Sequence, residues 1–185
     1  AYTDADLAYP PEQLLGLLAH VEGTGLGGGE RGPGAEVVLG NRRDPASTTV
    51  VAPSALRDLG GRIINLLTRS VLDGGWADTQ GGLKAFEGDT GRALLAATRV
   101  EGFAFDVEVL AVAEAWGLRI VEVPVTVSHS ETSTVHVVAD AVRLVGDLVA
   151  IRRRLRSGAY PRPEVPPAPP GDGGERERGA AAPAE

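Results

Sequence analysis

The strongest constraint on this chain comes from two aspartates near its start, Asp4 and Asp6, which one small residue separates at the end of an extended segment. Carboxylate oxygens in this arrangement form a compact site for Mg²⁺ or Mn²⁺, especially where phosphate oxygens complete the coordination. A nucleoside diphosphate held by such a cation becomes a good leaving group, because the metal neutralises the charge that develops on it. Acidic pairs are also common in solvated turns, so this motif needs support from the rest of the chain.

Composition excludes several classes of protein. The 185 residues carry a net charge of −7, which argues against nucleic-acid binding, and the absence of cysteine rules out disulfides and thiolate zinc sites. No apolar run is long enough to span a membrane. His20, His129 and His136 lack the spacing of a metal site and are expected at the surface or in packing. The length predicts one domain over residues 1–156, and the Pro-, Gly- and Ala-rich residues 157–185 predict a disordered tail.

Apolar periodicity predicts an α/β fold. Pro10-Pro11-Glu12 is typical of a helix start, and Gly23–Gly34 reads as a loop although it contains a formal G-x-G-x-x-G match, because that match follows a helix. A strand is predicted for residues 35–40 and another for 118–127, with Pro124 at an edge or bulge. Further helices are predicted for residues 54–72, 91–97 and 105–116.

The last predicted element is an amphipathic helix over about residues 135–156. Apolar residues recur at helical spacing, and Arg152, Arg153, Arg154 and Arg156 cluster at its end. One interpretation is a helix that packs on the core, with the arginines complementing its C-terminal dipole. The other is a helix at a membrane surface, with the arginines contacting anionic headgroups. The sequence favours neither.

Five motifs follow one another along the chain: Asp-Ala-Asp-Leu, Val-Val-Leu-Gly-Asn-Arg-Arg, Asp-Thr-Gln-Gly-Gly-Leu-Lys-Ala-Phe, Glu-Gly-Phe-Ala-Phe-Asp-Val-Glu and Ile-Val-Glu-Val-Pro-Val. This series resembles the family 2 glycosyltransferases, specifically the dolichyl- or polyprenyl-phosphate sugar synthases, over about residues 1–155. The resemblance implies a GT-A fold, the Rossmann-like fold of nucleotide-diphospho-sugar transferases, without its N-terminal strands. We therefore expect further sequence upstream of Ala1.

The resemblance also implies an activity and a set of site residues. A hexose would move, with inversion, from a UDP- or GDP-linked donor to a dolichyl or polyprenyl phosphate, in a cytoplasmic protein that can sit peripherally on the inner face of the membrane. The implied roles fall into three groups: Asp4 and Asp6 bind Mg²⁺ or Mn²⁺, Arg42, Gln80 and Lys84 bind phosphate, and Asp78 and Asp106 act at the catalytic centre, with Thr79 beside them. Because Asp106 and Glu108 lie two apart at a helix start, they are expected to face different ways.

Three alternatives stay open at this point. The same fold could act on a soluble glycan, or the chain could be a non-catalytic remnant or interaction module that keeps the motifs. A phosphatase that uses Asp4 as nucleophile is disfavoured, because Leu7 and Ala8 follow the acidic pair where such chemistry normally has Thr or a similar residue. No nucleic-acid partner is expected.

Overall fold

A computed structural model describes most of the chain. The described residues are 1–3, 8–23, 34–50, 64, 66–69, 71–72, 75–128 and 137–163. Four predictions lie wholly or largely outside them: the metal ligands Asp4 and Asp6, the glycine-rich loop, the helix predicted for residues 54–72, and the tail beyond residue 163.

The described part contains both strands and helices, in agreement with the predicted α/β class, but strands form at residues 48–49 and 83–86, where the sequence analysis predicts none. Its elements are β1 (Tyr2–Thr3), α1 (Glu12–Val21), β2 (Val37–Asn41), β3 (Thr48–Thr49), β4 (Leu83–Phe86), α2 (Gly88–Ala97), α3 (Phe105–Ala115), β5 (Ile120–Pro124), β6 (Thr126–Val127) and α4 (Val137–Arg156). Strands β1, β4, β2 and β5 form one mixed sheet in that order, with β2 and β5 parallel and β4 antiparallel to both of its neighbours. Strands β3 and β6 form a separate parallel pair.

Both faces of the four-stranded sheet are covered. Strand β2 is buried at all five positions, and alternate side chains enter opposite cores because successive residues of a strand point to opposite faces. Val37 and Leu39 join the core built with α2, α3 and α4, whereas Val38 joins the core built with α1. The molecule is therefore a mixed α/β protein in which apolar strands lie between helical layers, an architecture compatible with a Rossmann-like fold.

Several element boundaries differ from the sequence prediction for local reasons. Helix α2 begins at Gly88 rather than Gly91, because the Glu87 side chain accepts hydrogen bonds from the backbone N–H groups of Asp89 and Thr90 and caps it. The strand predicted for residues 118–127 is interrupted after Pro124, and β6 then pairs with β3 instead of continuing in the main sheet. The prediction that Pro124 marks an irregularity is consistent with this break.

The predicted tail does not begin at residue 157. Ala159, Tyr160 and Arg162 contact the domain, and Tyr160 is buried. The Trp116 Nε1–H donates to the Tyr160 carbonyl at 3.0 Å, and the Tyr160 hydroxyl donates to Glu108 at 2.5 Å. Contacts with the domain therefore continue as far as Arg162, and Tyr160, whose hydroxyl donates to the buried Glu108, is the main reason.

Candidate functional site

Three motifs that are distant in sequence meet beside β4. Arg42 directly follows β2, residues 78–82 lead into β4, and Asp106 lies in the first turn of α3. Two ion pairs join them, Arg42 with Asp78 and Lys84 with Asp106. Strand β2 positions Arg42 beside the loop because β2 pairs with β4 over Val37–Leu39 and Leu39 stands opposite Lys84.

The first pair is a bidentate contact reinforced by the backbone. Asp78 Oδ2 accepts from the Arg42 backbone N–H at 3.0 Å and from Arg42 Nε at 2.7 Å, and Asp78 Oδ1 accepts from Arg42 Nη2 at 2.8 Å. The Asp78 side chain is 4% exposed, whereas that of Arg42 is 40% exposed. Such a fork fixes the plane of the guanidinium while part of it stays open to solvent. Asp78 has both oxygens engaged, so this geometry suits it to orienting Arg42.

The electrostatic environment of Asp78 reflects the same contact. Burial by itself would raise its pKa, but hydrogen bonds from Arg42 and the charge of Arg42 outweigh that effect, with a smaller contribution from Lys84. The pKa of Asp78 therefore lies below its ordinary value of 3.8. Asp78 is ionised in the neutral range and holds the guanidinium as a charged partner.

The loop that carries Asp78 packs closely on β2. A Cβ at Gly81 would lie 2.3 Å from the Gly40 carbonyl oxygen, so only glycine fits there. The backbone N–H of Gly82 donates to the Tyr9 hydroxyl at 3.2 Å, and the Thr79 hydroxyl lies 3.3 Å from that of Thr68 in a buried contact. These contacts tie the loop to Tyr9, in the segment before α1, and to the buried Thr68, and they help to fix the position of Asp78.

The second ion pair is buried deeper. Lys84 is fully buried, and its Nζ donates to the Gly81 carbonyl at 2.5 Å and to Asp106 Oδ1 at 2.7 Å. The Tyr2 hydroxyl donates to the same Asp106 oxygen at 2.6 Å, and Lys84 Nζ lies 5.6 Å from the centre of the Tyr2 ring. Strand pairing sets this contact, since Tyr2 stands opposite Lys84 in the register of β1 and β4. The Lys84 side chain is 1% exposed, so Asp106 rather than solvent faces its charge.

Asp106 and Glu108 do face different ways, as their spacing predicts. Asp106 points toward β1 and β4 and keeps 24% of its side chain exposed. Glu108 is fully buried, where it accepts from the backbone N–H groups of Arg99 at 2.6 Å and Val100 at 2.7 Å. It also accepts from Tyr160 and from Arg154 Nη1 at 3.3 Å. Glu108 therefore organises the packing of α3 and lies outside the open part of the site.

The remaining predicted site residues are less constrained. Gln80 Nε2 donates to the Phe103 carbonyl at 3.1 Å, which links the loop before β4 to the segment before α3. The metal ligands Asp4 and Asp6 lie outside the described residues, and within the described ones no three His, Asp or Glu side chains gather as a metal site. The single buried side-chain polar atom that lacks a partner among those residues is Thr3 Oγ1, immediately before Asp4.

Sequence reasoning missed two tyrosines that shape the site. Tyr2 supplies a donor to Asp106, and Tyr9 accepts from the loop before β4. The signal for Tyr2 was present, because it lies two residues before Asp4 in an extended segment and side chains two apart share a face of a strand. Nothing in the sequence indicates the contact of Tyr9, which depends on how α1 approaches the sheet.

Comparison with known proteins gives two similar sequences. The chain is 29% identical over 125 residues to a dolichyl-phosphate beta-glucosyltransferase of Dictyostelium discoideum, a match that covers 67% of the chain and 38% of the relative. It is 33% identical over 129 residues to an undecaprenyl-phosphate mannosyltransferase of Micrococcus luteus, with coverage of 69% and 48%. No protein-family model and no solved structure matches the chain. The match thus spans less than half the length of either relative. Both relatives are glycosyltransferases whose names specify a dolichyl or undecaprenyl phosphate.

Proposed function

We propose that this chain is part of a family 2 glycosyltransferase of GT-A fold, which transfers a hexose from a UDP- or GDP-linked donor to a dolichyl or polyprenyl phosphate. The observation that carries the proposal is the meeting of three separated motifs in two ion pairs beside β4. Those motifs are among the ones that resemble the family, and the similarity to the glucosyltransferase and the mannosyltransferase points the same way.

The proposed reaction needs alignment more than acid–base chemistry. An oxygen of the acceptor phosphate attacks the anomeric carbon, the bond from that carbon to the diphosphate oxygen breaks, and the nucleoside diphosphate leaves with the bonding electrons. This displacement inverts the anomeric carbon, and a phosphate is already a nucleophile near neutral pH, so no general base is required. Arg42, oriented by Asp78, is suited to bind phosphate oxygens, because a guanidinium fork matches their geometry.

The proposed metal depends on Asp4 and Asp6. Strand β1 ends at Thr3, so the chain enters this motif from the strand end where Thr3 pairs with Leu83 of β4. Their carboxylates suit Mg²⁺ or Mn²⁺, which would neutralise charge on the departing diphosphate. In the full-length natural protein, we expect Asp6→Ala to abolish transfer that depends on the added metal, and wild-type rates in that variant would contradict the metal assignment.

A transfer assay tests the proposal directly. Labelled UDP-glucose or GDP-mannose is incubated with the full-length protein, a short polyprenyl phosphate and Mg²⁺ or Mn²⁺, and label is measured in the organic phase. We expect label to enter the lipid fraction and EDTA to prevent it. Label that enters only a soluble glycan would instead favour the glycan acceptor. An absence of both transfer and donor binding would identify a non-catalytic module.

We also propose that α4 places the protein on an anionic membrane surface. Its inward side packs on the core through Leu144, Leu148 and Ile151. From residue 142 onward its exposed positions include no acidic residue; they are Val142, Arg143, Val145, Gly146, Val149, Arg152, Arg153 and Arg156. Under this proposal, the core-packing and membrane interpretations describe opposite sides of one helix. In the described part of the chain no helix is both long and apolar enough to cross a bilayer.

Charge and apolar area both favour this surface. Val142, Val145 and Val149 are 71%, 44% and 54% exposed, and they lie at helical spacing on one stripe that continues into Arg152, Arg153 and Arg156. Each arginine near an anionic bilayer contributes about 1 kcal/mol, so the three contribute roughly 3 kcal/mol. The whole chain carries a net charge of −7, so this basic stripe is the surface that we expect to approach the bilayer.

Vesicle sedimentation tests the membrane proposal with matched controls. We expect binding to phosphatidylglycerol-containing vesicles that weakens with salt, and little binding to pure phosphatidylcholine. The triple variant R152E/R153E/R156E should lose it, whereas Arg92→Glu, at an exposed arginine of α2, should not. The triple variant V142S/V145S/V149S should weaken it, whereas Leu15→Ser, at an exposed leucine of α1, should not. Equal binding by all variants would contradict the assignment of this face.

A further inference from the structure

Asp106 receives both of its hydrogen bonds on one oxygen. Tyr2 Oη and Lys84 Nζ donate to Oδ1 at 2.6 and 2.7 Å. No residue that the structure describes donates to Oδ2, and the Asp106 side chain as a whole is 24% exposed. An ionised carboxylate has about four acceptor positions, which leaves Asp106 with an unused acceptor oxygen in the site.

The charges around this oxygen restrict what it can bind. Asp106 pairs with a cation, Lys84, that is itself fully buried and held by the Gly81 carbonyl. An ionised carboxylate accepts hydrogen bonds and repels phosphate, so among the groups of the proposed substrates Oδ2 suits one that donates a hydrogen bond, such as a sugar hydroxyl. Phosphate recognition is better served by Arg42, whose side chain is 40% exposed. The site thus offers two chemically different contacts, a cation for phosphate and an acceptor oxygen for a hydroxyl.

We propose that Asp106 Oδ2 accepts a hydrogen bond from a hydroxyl of the hexose of the donor, and that Tyr2 and Lys84 are positioning residues for it. The two donors on Oδ1 hold the carboxylate in one orientation. Oδ2 is therefore already in position to accept a hydrogen bond, and no side-chain rotamer has to change. Tyr2 is itself held by stacking on Phe86, with ring centroids 5.6 Å apart. This proposal rests on the proposed function, since it assigns the sugar contact of the same site.

Binding measurements that compare a nucleotide sugar with its nucleoside diphosphate isolate this contact. In Asp106→Asn the side-chain oxygen can still accept from Tyr2 and Lys84, but the amide NH₂ then replaces Oδ2 and presents a donor to the hydroxyl. We expect the full-length variant to bind UDP-glucose or GDP-mannose about tenfold or more weakly, the usual effect of losing a hydrogen bond to a charged group. Its affinity for UDP or GDP should stay within about twofold of wild type.

Two further measurements make the test specific. A donor analogue that lacks the contacted hydroxyl should bind wild-type protein more weakly, and Asp106→Asn should weaken that analogue no further. Glu101→Gln makes the same carboxylate-to-amide change at an exposed position before α3, and it should leave both affinities unchanged. If Asp106→Asn fails to fold, Tyr2→Phe decides, because it keeps the Lys84–Asp106 pair and should weaken the nucleotide sugar alone, by about threefold.

The outcomes separate this proposal from the proposed function. Wild-type protein that binds no nucleotide sugar would overturn both. Wild-type protein that binds nucleotide sugars, with variants that lose sugar and diphosphate affinity equally or lose neither, would overturn only the role of Asp106. A selective loss that disappears with one deoxy analogue would support the hydroxyl contact and identify which hydroxyl it is.

Discussion

Asp106 and Glu108 lie two residues apart on α3 and have opposite environments. Glu108 is fully buried and accepts from four donors spread over both oxygens. Asp106 is 24% exposed and accepts from two donors on one oxygen. A carboxylate whose acceptor capacity is filled by its own protein serves packing, whereas one with capacity left over is able to bind a ligand. The contrast supports the proposal that the two acids of this single motif have different roles.

Removal of Glu108 should give the largest loss of stability. Glu108→Ala leaves the Arg99 and Val100 N–H groups and the Tyr160 hydroxyl without their buried acceptor. We expect the free energy of unfolding to fall by about 3–5 kcal/mol, as for removal of one partner from a buried charged network. Urea unfolding followed by tryptophan fluorescence measures it, with Glu101→Ala at an exposed position as the control. A loss below about 1 kcal/mol would contradict the packing role.

The Arg42–Asp78 pair tests whether the loss of stability on removing a buried carboxylate is smaller when its partner is partly exposed. Asp78→Ala removes a buried acceptor, but Arg42 is 40% exposed and can be hydrated, so we expect a loss of about 1–3 kcal/mol. Because the folded-state pKa of Asp78 is lowered from 3.8, its contribution is present above that value and is lost as the pH falls through the lowered pKa. Urea titrations at successively lower pH should show that the free energy of unfolding of the wild type falls with acid. The fall should be smaller in Asp78→Ala.

Arg42→Lys refines this prediction. It keeps the positive charge but loses the planar fork and one of the two side-chain contacts, so it should destabilise less than Asp78→Ala. It should nevertheless weaken phosphate binding in the transfer assay, because the remaining ammonium is not held in one plane. An Arg42→Lys variant that matches wild type in both measurements would show that the fork has no role.

The Tyr160 hydroxyl probes the Glu108 cluster from its other side. Burial raises the pKa of Tyr160 to about 12, and the hydrogen bond to Glu108 adds to the shift. Since the unfolded-state pKa is near 10.0, the contribution of this group is complete below that pH and is lost as the pH rises toward about 12. Tyr160→Phe should cost about 1–2 kcal/mol at neutral pH and reduce the alkaline loss. If the free energy of unfolding of Tyr160→Phe fell at high pH as steeply as that of the wild type, this role of Tyr160 would be contradicted.

The sequence predicted most of the helices and the strands β2 and β5, but not β4, which follows a polar, glycine-containing stretch. Periodicity predicted α3 and the side of α4 that packs on the core, and the resemblance to a glycosyltransferase family implied that Arg42, Asp78, Lys84 and Asp106 belong to one site. It could not predict their pairing, because Lys84 with Asp106 and Glu108 with Tyr160 are contacts across 22 and 52 positions that depend on how α3 and the C-terminal segment approach the sheet. Lysine is also rarely fully buried, and the burial of Lys84 is explained only by its contacts with Asp106 and the Gly81 carbonyl.

Tyr2→Phe should have the smallest effect on stability and sharpens the comparison most. It removes one donor from a carboxylate that keeps its ion pair with Lys84, while the ring can still stack on Phe86. We expect a loss of about 0.5–1.5 kcal/mol in urea unfolding, well below that of Glu108→Ala. If stability alone determined ligand binding, Tyr160→Phe, with a similar stability loss, would weaken donor binding as much. We expect only Tyr2→Phe to weaken donor binding, because only Tyr2 orients Asp106, whose Oδ2 accepts no hydrogen bond from the described residues.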